Sequence, residues 1–240
     1  MFNIEGKHIL VTGASSGIGR VVAKQIANSG AVVGLSGRNI EELERTRGML
    51  DGGGHYIVPS DLLAIDDTSS IFDEAVTNNG KLDGLIYSAG IIDTVPLQAI
   101  KVSKFETLMK VNLFMFVDMV KNFAKKKYSN GGSIIGISSI ASVSPDKGQT
   151  MYSASKAAMD AATQTMSQEL YKKNIRINTI LPGVVKPDKI NYEVINDSIL
   201  EKQLLGLVDP EDIGKMCVYL SSEASKSISG RKFYIDGMRY

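Results

Sequence analysis

Tyr152 and Lys156 stand four residues apart in Met151-Tyr-Ser-Ala-Ser-Lys-Ala-Ala-Met-Asp160, an Ala-rich stretch free of Gly and Pro that reads as helix. Residues i and i+4 lie on one helical face, so the spacing sets a phenol beside an ammonium. A free phenol ionises near about pH 10, too high for good proton exchange at neutral pH. An ammonium one turn away stabilises phenolate, at about 1.4 kcal/mol per unit of pKa lowering. Taken alone, such a pair is far more often a core-edge tyrosine and a surface lysine of an amphipathic helix. Its surroundings favour chemistry. Just upstream, Gly131-Gly-Ser-Ile-Ile-Gly-Ile-Ser-Ser139 reads as a buried strand ending in hydroxyls, and ligands of open α/β sheets sit beyond strand C-termini. Ser139 is placed to bind a carbonyl oxygen that Tyr152 protonates. Asn112 is a polar residue midway along an apolar helix. It is either a helix-bend residue or the holder of a water linking Lys156 to solvent.

A second group of residues suits a dinucleotide. Thr12-Gly-Ala-Ser-Ser-Gly-Ile-Gly19 follows the first strand-like run and opens a helix. Its spacing, G-x-x-x-G-x-G, differs from the commonest fingerprint, G-x-G-x-x-G. The physics is shared: glycines permit a tight turn, and the helix N-terminus aims N–H groups at a phosphate. Gly13, Ser15, Ser16, Gly17, Ile18 and Gly19 are therefore candidate cofactor contacts. No Gly-Lys-Ser/Thr follows, which excludes a Walker-type loop. The second strand ends Leu35-Ser-Gly-Arg-Asn39, without the acidic residue that usually binds a ribose diol. Arg38 supplies instead a planar cation suited to a 2′-phosphate, so NADP(H) is expected over NAD(H). Asp61 and Leu62 follow the third strand, as an adenine contact or, for Asp61, a helix N-cap.

These residues need a scaffold that brings strand ends together. Apolar, β-rich runs at Lys7–Thr12, Ala31–Ser36, His55–Pro59, Leu82–Ser88, Gly132–Ser138, Arg176–Leu181 and Lys232–Asp236 alternate with helical stretches. The helices are expected at Gly17–Ser29, Ile40–Leu50, Ile65–Thr77, Val102–Lys127, Ser153–Lys173 and Pro210–Ser221. Asn39 and Glu42 resemble a capping box for the second of them. The alternation predicts an α/β fold with a mainly parallel sheet covered on both faces. The 240 residues show no linker-like shift in composition, so one domain is expected over 1–240, with a substrate lid at about 184–208. Net charge of +1 offers no nucleic-acid surface, and no apolar run is long enough to span a membrane. Cys217 is the only cysteine, and His8 and His55 the only histidines. No metal site is expected, and both imidazoles read as structural. The start of the chain shows no signal-peptide pattern, so a cytoplasmic location is expected.

Together these motifs resemble the short-chain dehydrogenase/reductase family over essentially the whole chain. The resemblance rests on Thr12–Gly19, Asp61-Leu62, Ser88-Ala89-Gly90, Val111-Asn112-Leu113, Ser139, Tyr152-x-x-x-Lys156 and Pro182-Gly183. It implies a Rossmann fold with a seven-stranded sheet of order 3-2-1-4-5-6-7. It also implies an Asn112–Ser139–Tyr152–Lys156 tetrad, with Ser139 rather than Ser138 as the serine. Cofactor contacts are implied from Ser88, Ala89, Gly90, Pro182, Gly183 and Val185 as well as from Tyr152 and Lys156. A dimer or tetramer is implied too. Gly230–Gly237 looks like the 3-oxoacyl-[acyl-carrier-protein] reductase branch. The expected reaction is hydride transfer between NADP(H) and a carbonyl or secondary alcohol. A 3-oxoacyl thioester, a keto-sugar and another small ketone are candidate substrates; a non-catalytic nucleotide-binding protein is the other class. Two positions depart from the family pattern: Tyr87-Ser88 replaces Asn-Asn, and Pro187 stands where Thr is common. The apolar lid residues Ile190, Tyr192, Val194, Ile195, Ile199, Leu200 and Leu204 either line a pocket or pack against each other, and Lys186, Lys189 and Lys202 could meet an acidic carrier. Ala154, Ala157, Ala158, Ala161 and Ala162 would let their helix pack closely in a dimer.

Overall fold

The computed structural model describes residues 2–186 and 201–239. Seven strands form one sheet of order β3-β2-β1-β4-β5-β6-β7, as expected. They are β1 (His8–Thr12), β2 (Val32–Gly37), β3 (Tyr56–Pro59), β4 (Leu82–Tyr87), β5 (Ser129–Ile137), β6 (Ile175–Pro182) and β7 (Lys232–Ile235). Every neighbouring pair is parallel. The central strands are buried on both faces, which is why their sequences run apolar without alternating. One face is packed by α1 (Gly17–Asn28) and α7 (Pro210–Ser221), through Val22, Ile26, Ile213 and Cys217 among others. The other is packed by α3 (Ser69–Asn79), α5 (Met115–Phe123) and α6 (Thr150–Leu170), through Phe72, Phe116, Phe123 and Met159. The strand order reverses between β1 and β4, and a crevice opens there at the strand C-termini.

The strands follow the sequence closely; several helix ends do not. In α2 (Ile40–Arg47) only half of the expected capping box forms. Asn39 Oδ1 accepts from Glu42 N at 3.1 Å, while the Glu42 carboxylate pairs with Arg20 and Arg45. Helix α3 starts at Ser69 instead of Ile65. Asp67 Oδ1 takes the Ser69 N–H, and Asp118 Oδ2 takes Thr68 N and Oγ1, each at 2.8 Å, which holds the preceding residues in turns. Of the expected lid, Val184–Lys186 and Glu201–Val208 are described. Pro187, Lys189, Ile190, Tyr192, Val194, Ile195, Ile199 and Leu200 lie outside the described residues.

The largest departure is in the helix expected over Val102–Lys127. It breaks into α4 (Val102–Met109), a π turn over Lys110–Phe114, and α5. Met115 N bonds to the Lys110 carbonyl rather than to that of Val111. The skipped Val111 oxygen accepts from the Tyr87 hydroxyl at 2.5 Å. Tyr87 is fully buried, with its ring tilted against Phe116 at 5.3 Å between centroids. π turns of this kind commonly mark functional sites, and this one holds Asn112.

Replacing Tyr87 by Phe keeps the ring and strands that carbonyl in the interior. We expect a loss of about 1–3 kcal/mol in urea-unfolding free energy; an unchanged midpoint would remove Tyr87 as the support of the π turn.

Candidate active site

A cleft of about 430 Å³ follows the C-terminal ends of β1 to β5. The first turn contributes Thr12, Gly13 and Ser15 to Gly19; β2 contributes Ser36, Gly37 and Arg38. Ser60, Asp61 and Leu62 follow from β3, and Ser88 to Ile92 from β4. Val111, Ile137, Ser138, Tyr152 and Lys156 close the far end. The glycines are required where they stand. Gly13 has φ +67°, and a Cβ there would come within 2.9 Å of the Ser88–Ala89 backbone. A Cβ on Gly19 would lie 2.2 Å from the Gly13 carbonyl oxygen. Ser16 is the N-cap of α1 and gives it no side-chain hydrogen bond, and the first turn carries no acidic residue. That end of α1 therefore suits an anion, and the turn's shape and lining fit a pyrophosphate.

Arg20, which the sequence reading did not single out, staples the turn to α2. Its Nη2 donates to Ser15 O and Glu42 Oε2, and its Nε donates to Thr46 Oγ1 at 3.0 Å. Thr46 Oγ1 in turn donates to Ala14 O at 2.9 Å. Arg38 is exposed on the cleft rim, with no hydrogen bond or ion pair among the described residues. Asp61 is no N-cap of α3, which begins eight residues later; its Oδ1 accepts from Leu63 N at 3.0 Å. Ser88 departs from the family's Asn without loosening this end of the sheet. Its N–H and that of Ala89 both reach Thr12 Oγ1 at 3.2 Å, so backbone groups make the tie.

At the far end, α6 places Tyr152 in its first turn and Lys156 one turn on. Both are buried, at 8% and 4% exposure. Lys156 Nζ donates to Ile137 O at 2.7 Å and lies 6.0 Å from the centre of the Tyr152 ring. Tyr152 hydrogen-bonds Ser139, whose Oγ also accepts from Ala141 N at 3.1 Å. Ser138 turns the other way and donates to Lys156 O at 3.4 Å. Ser139 is therefore the serine beside the phenol.

One expectation changes here. Tyr152 is not acidified in this geometry. Burial pushes its phenol above the ordinary tyrosine value, and the Ser139 hydrogen bond pulls back only in part. Lys156 sends its ammonium to the Ile137 carbonyl, and burial lowers it from 10.5 to about 8, with Asp160 pulling it up. Both protons of the Asn112 amide are used inside the protein. Nδ2 donates to Ile91 O at 2.9 Å and to Ser155 Oγ at 3.0 Å, and Oδ1 accepts from Ile91 N at 2.8 Å. Asn112 clamps the segment after Gly90 to α6. A Cβ on Gly90 would stand 3.4 Å from Asn112 Oδ1 and 3.5 Å from Lys156 Nζ, so these groups share one corner.

Pro182, Gly183 and Val185 are off the cleft wall. Gly183 N donates to Ile235 O at 3.0 Å, Val184 is bracketed by Gln203, and Val185 bridges to Val208. Their polar groups are engaged by β7 and the returning lid segment. Gln203, buried and polar, was missed because nothing in its local sequence marks it. Ser155 and Asp160 were missed because each passes for an ordinary helix residue, and Tyr87 was noted only as a departure from the family pattern, not as the partner of the Val111 carbonyl.

Residues 13–237 match the family model described as Enoyl-(Acyl carrier protein) reductase. The chain belongs to the short-chain dehydrogenase/reductase family. It is 33% identical to Glucose 1-dehydrogenase of Gluconobacter oxydans, over 97% of this chain and 91% of that one. It is 32% identical to the 3-oxoacyl-[acyl-carrier-protein] reductase FabG of Rickettsia conorii, over 99% and 98%. The fold superposes with a TM-score of 0.89 and 28% identity on a 7α-hydroxysteroid dehydrogenase complexed with NADH and 7-oxo glycochenodeoxycholic acid, covering 99% and 95% of the two chains. This family member is thus an oxidoreductase of a family that uses NAD(P).

The depressed Lys156 ammonium gives a stability prediction. Between about pH 8 and 10.5 the unfolded chain holds a proton that the native chain has released. Native stability from this group therefore rises with pH across that window and is lowest below it. Lys156→Met should abolish the rise. Parallel slopes for the two proteins in denaturation free energy from pH 7.5 to 9.5 would show that Lys156 is not buried as charged.

Proposed function

We propose that the chain is an NADPH-dependent carbonyl reductase, or the reverse alcohol dehydrogenase, with Tyr152 as its acid/base. The observation that carries this reading is that Tyr152 and Lys156, the phenol hydrogen-bonded to Ser139, close the same cleft that the Gly13–Gly19 turn opens. Ser139 and Tyr152 bind the substrate oxygen. Tyr152 donates its proton to that oxygen during reduction and takes it back during oxidation. Burial keeps the phenol protonated, which suits the acid's role in reduction. Lys156 orients ribose hydroxyls and the phenol, and Asn112 holds both the π turn and the Ile91 segment in place. When bound, the nicotinamide supplies or accepts the hydride at C4. Among the roles assigned from the family resemblance, Pro182, Gly183 and Val185 act through the lid's second leg.

Arg38 supports NADPH. It is a free rim cation at the end of β2, where a ribose-binding carboxylate would otherwise stand. A 3-oxoacyl thioester is the substrate class we favour, because Ile91 and Ile92 line the cleft beside Tyr152 and Ile92 is 70% exposed. The lid lysines give an acidic carrier less support: Lys186 pairs with Asp209 and Lys202 with Asp146. The sugar dehydrogenase relative keeps a keto-sugar as the second substrate class. A cytoplasmic homo-oligomer completes the reading. Ala154, Ala157 and Ala161 form an exposed stripe on α6, and Phe114 and Val117 are exposed around the start of α5.

Tritium transfer from [4-³H]NADPH to a panel of 3-oxoacyl thioesters, keto-sugars and simple ketones tests the reaction. Tyr152→Phe should lower kcat by at least about 100-fold while NADPH still quenches or shifts protein fluorescence; unimpaired transfer would end the acid/base assignment. Binding of NADPH with no transfer to any carbonyl would favour a non-catalytic nucleotide-binding protein. Arg38→Ala should raise the Kd for NADPH by about 10-fold or more and leave NADH nearly unchanged, since a charge-assisted bond contributes about 1.5–3 kcal/mol. Equal losses for both cofactors would place Arg38 outside phosphate recognition.

A further inference from the structure

Asp160 is a buried carboxylate that the proposed reaction does not use. It lies on α6 one turn beyond Lys156, as Lys156 lies one turn beyond Tyr152, so the three side chains share a face. Its exposure is 3%, beside 4% for Lys156. Asp160 Oδ2 accepts from Ser142 Oγ at 2.7 Å, whereas Oδ1 is buried without a hydrogen-bond partner. Ser142 closes the short 3-10 turn Ile140–Ser142, which Ser139 caps. Asp160 therefore stands beneath both halves of the site: through Ser142 it holds the turn that presents Ser139, and along α6 it faces Lys156.

We propose that Asp160 is a positioning residue that keeps Lys156 in its ammonium form and fixes the turn bearing Ser139. The proposal rests on the reading of Tyr152 and Lys156 as the proton-handling pair. A buried ammonium needs a counter-charge, and Asp160 is the one carboxylate acting on Lys156 among the described residues. Other elements around Lys156 face it with neutral groups: Ile137 O from β5, Asn112 from the π turn, Gly90 from the β4 loop, and Ser138 from the segment after β5. On α4, which also packs on α6, Lys104 pairs with Asp93, and Glu106 is exposed. Lys110, at the start of the π turn, pairs with Asp66. Two separable contributions follow, since Asn in place of Asp keeps an acceptor for Ser142 and removes the charge.

The test is a ¹³C NMR titration of enzyme grown with [ε-¹³C]lysine, the Lys156 signal being assigned by its loss in Lys156→Met. The wild-type midpoint is expected near about 8. Asp160→Asn should lower it by about one pH unit or more, and the alkaline limb of the pH–kcat profile should move the same way. Ser142→Ala should lower kcat with the midpoint unmoved. Asp160→Leu reads the same loss of charge without leaving a buried polar group. An unmoved midpoint in either folded charge-removing variant overturns the proposal. The titration needs no substrate, so a moved midpoint in a protein that transfers no hydride would sink the reaction reading and leave this one standing.

Discussion

A lysine ammonium buried at the end of a parallel sheet is the constraint around which this site is arranged. Removing such a charge from water carries a penalty of several kcal/mol unless hydrogen bonds and opposite charge offset it. Lys156 meets that demand with the Ile137 carbonyl at 2.7 Å, an acceptor that exists because β5 has just ended. Within the sheet that oxygen would belong to a ladder. The end of a strand supplies an accessible acceptor, and α6 must cross there for Lys156 to reach it. Once Lys156 is anchored, the helical period fixes Tyr152 above it and Asp160 below it.

A second requirement comes from the other wall. The segment after β4 borders the cleft, and loop backbone in the interior needs partners. Asn112 supplies two of them to Ile91 and a third to Ser155 on α6. An unbroken α-helix would satisfy its own carbonyls without help. The π turn reorients this stretch and leaves the Val111 carbonyl to be satisfied from outside, which Tyr87 does. The tyrosine that replaces the family's asparagine thus connects β4 to the π turn by a route that Asn, with its shorter side chain, cannot span in the same way. Sequence departures at a site can be compensated locally.

The sheet was legible because strands buried on both faces must be apolar throughout, and Gly13, Gly17 and Gly19 announced a turn that only Gly tolerates. The Tyr152–Lys156 pair was legible through helical spacing. What escaped were features that depend on partners distant in sequence. The start of α3 is set by Asp118, fifty residues away from Thr68, and nothing between Ile65 and Thr68 forbids helix. The π turn has no Gly or Pro to mark it. An Asp in an Ala-rich helix reads as solvated until the 3-10 turn is seen to cover it. The ionisation of Tyr152 was misjudged for a related reason: spacing gives proximity to a cation, whereas burial and the direction of the Lys156 Nζ bond decide the balance.

That balance bears on how one site can serve both directions of a redox reaction. Burial drives Tyr152 and Lys156 alike toward neutrality, the phenol by raising it and the ammonium by lowering it. A protonated phenol is the form needed to reduce a carbonyl, and phenolate the form needed to oxidise an alcohol. The protein's own groups favour the first. Asp160 sustains the lysine's charge at a distance of two helical turns from the phenol, near enough to affect Lys156 and far enough to act less on Tyr152. The positive charge of an oxidised nicotinamide would favour phenolate only in the state where alcohol is to be oxidised. Under the proposed reaction, the direction of proton transfer would follow the redox state of the cofactor held in the cleft, against a protein background biased toward the acid.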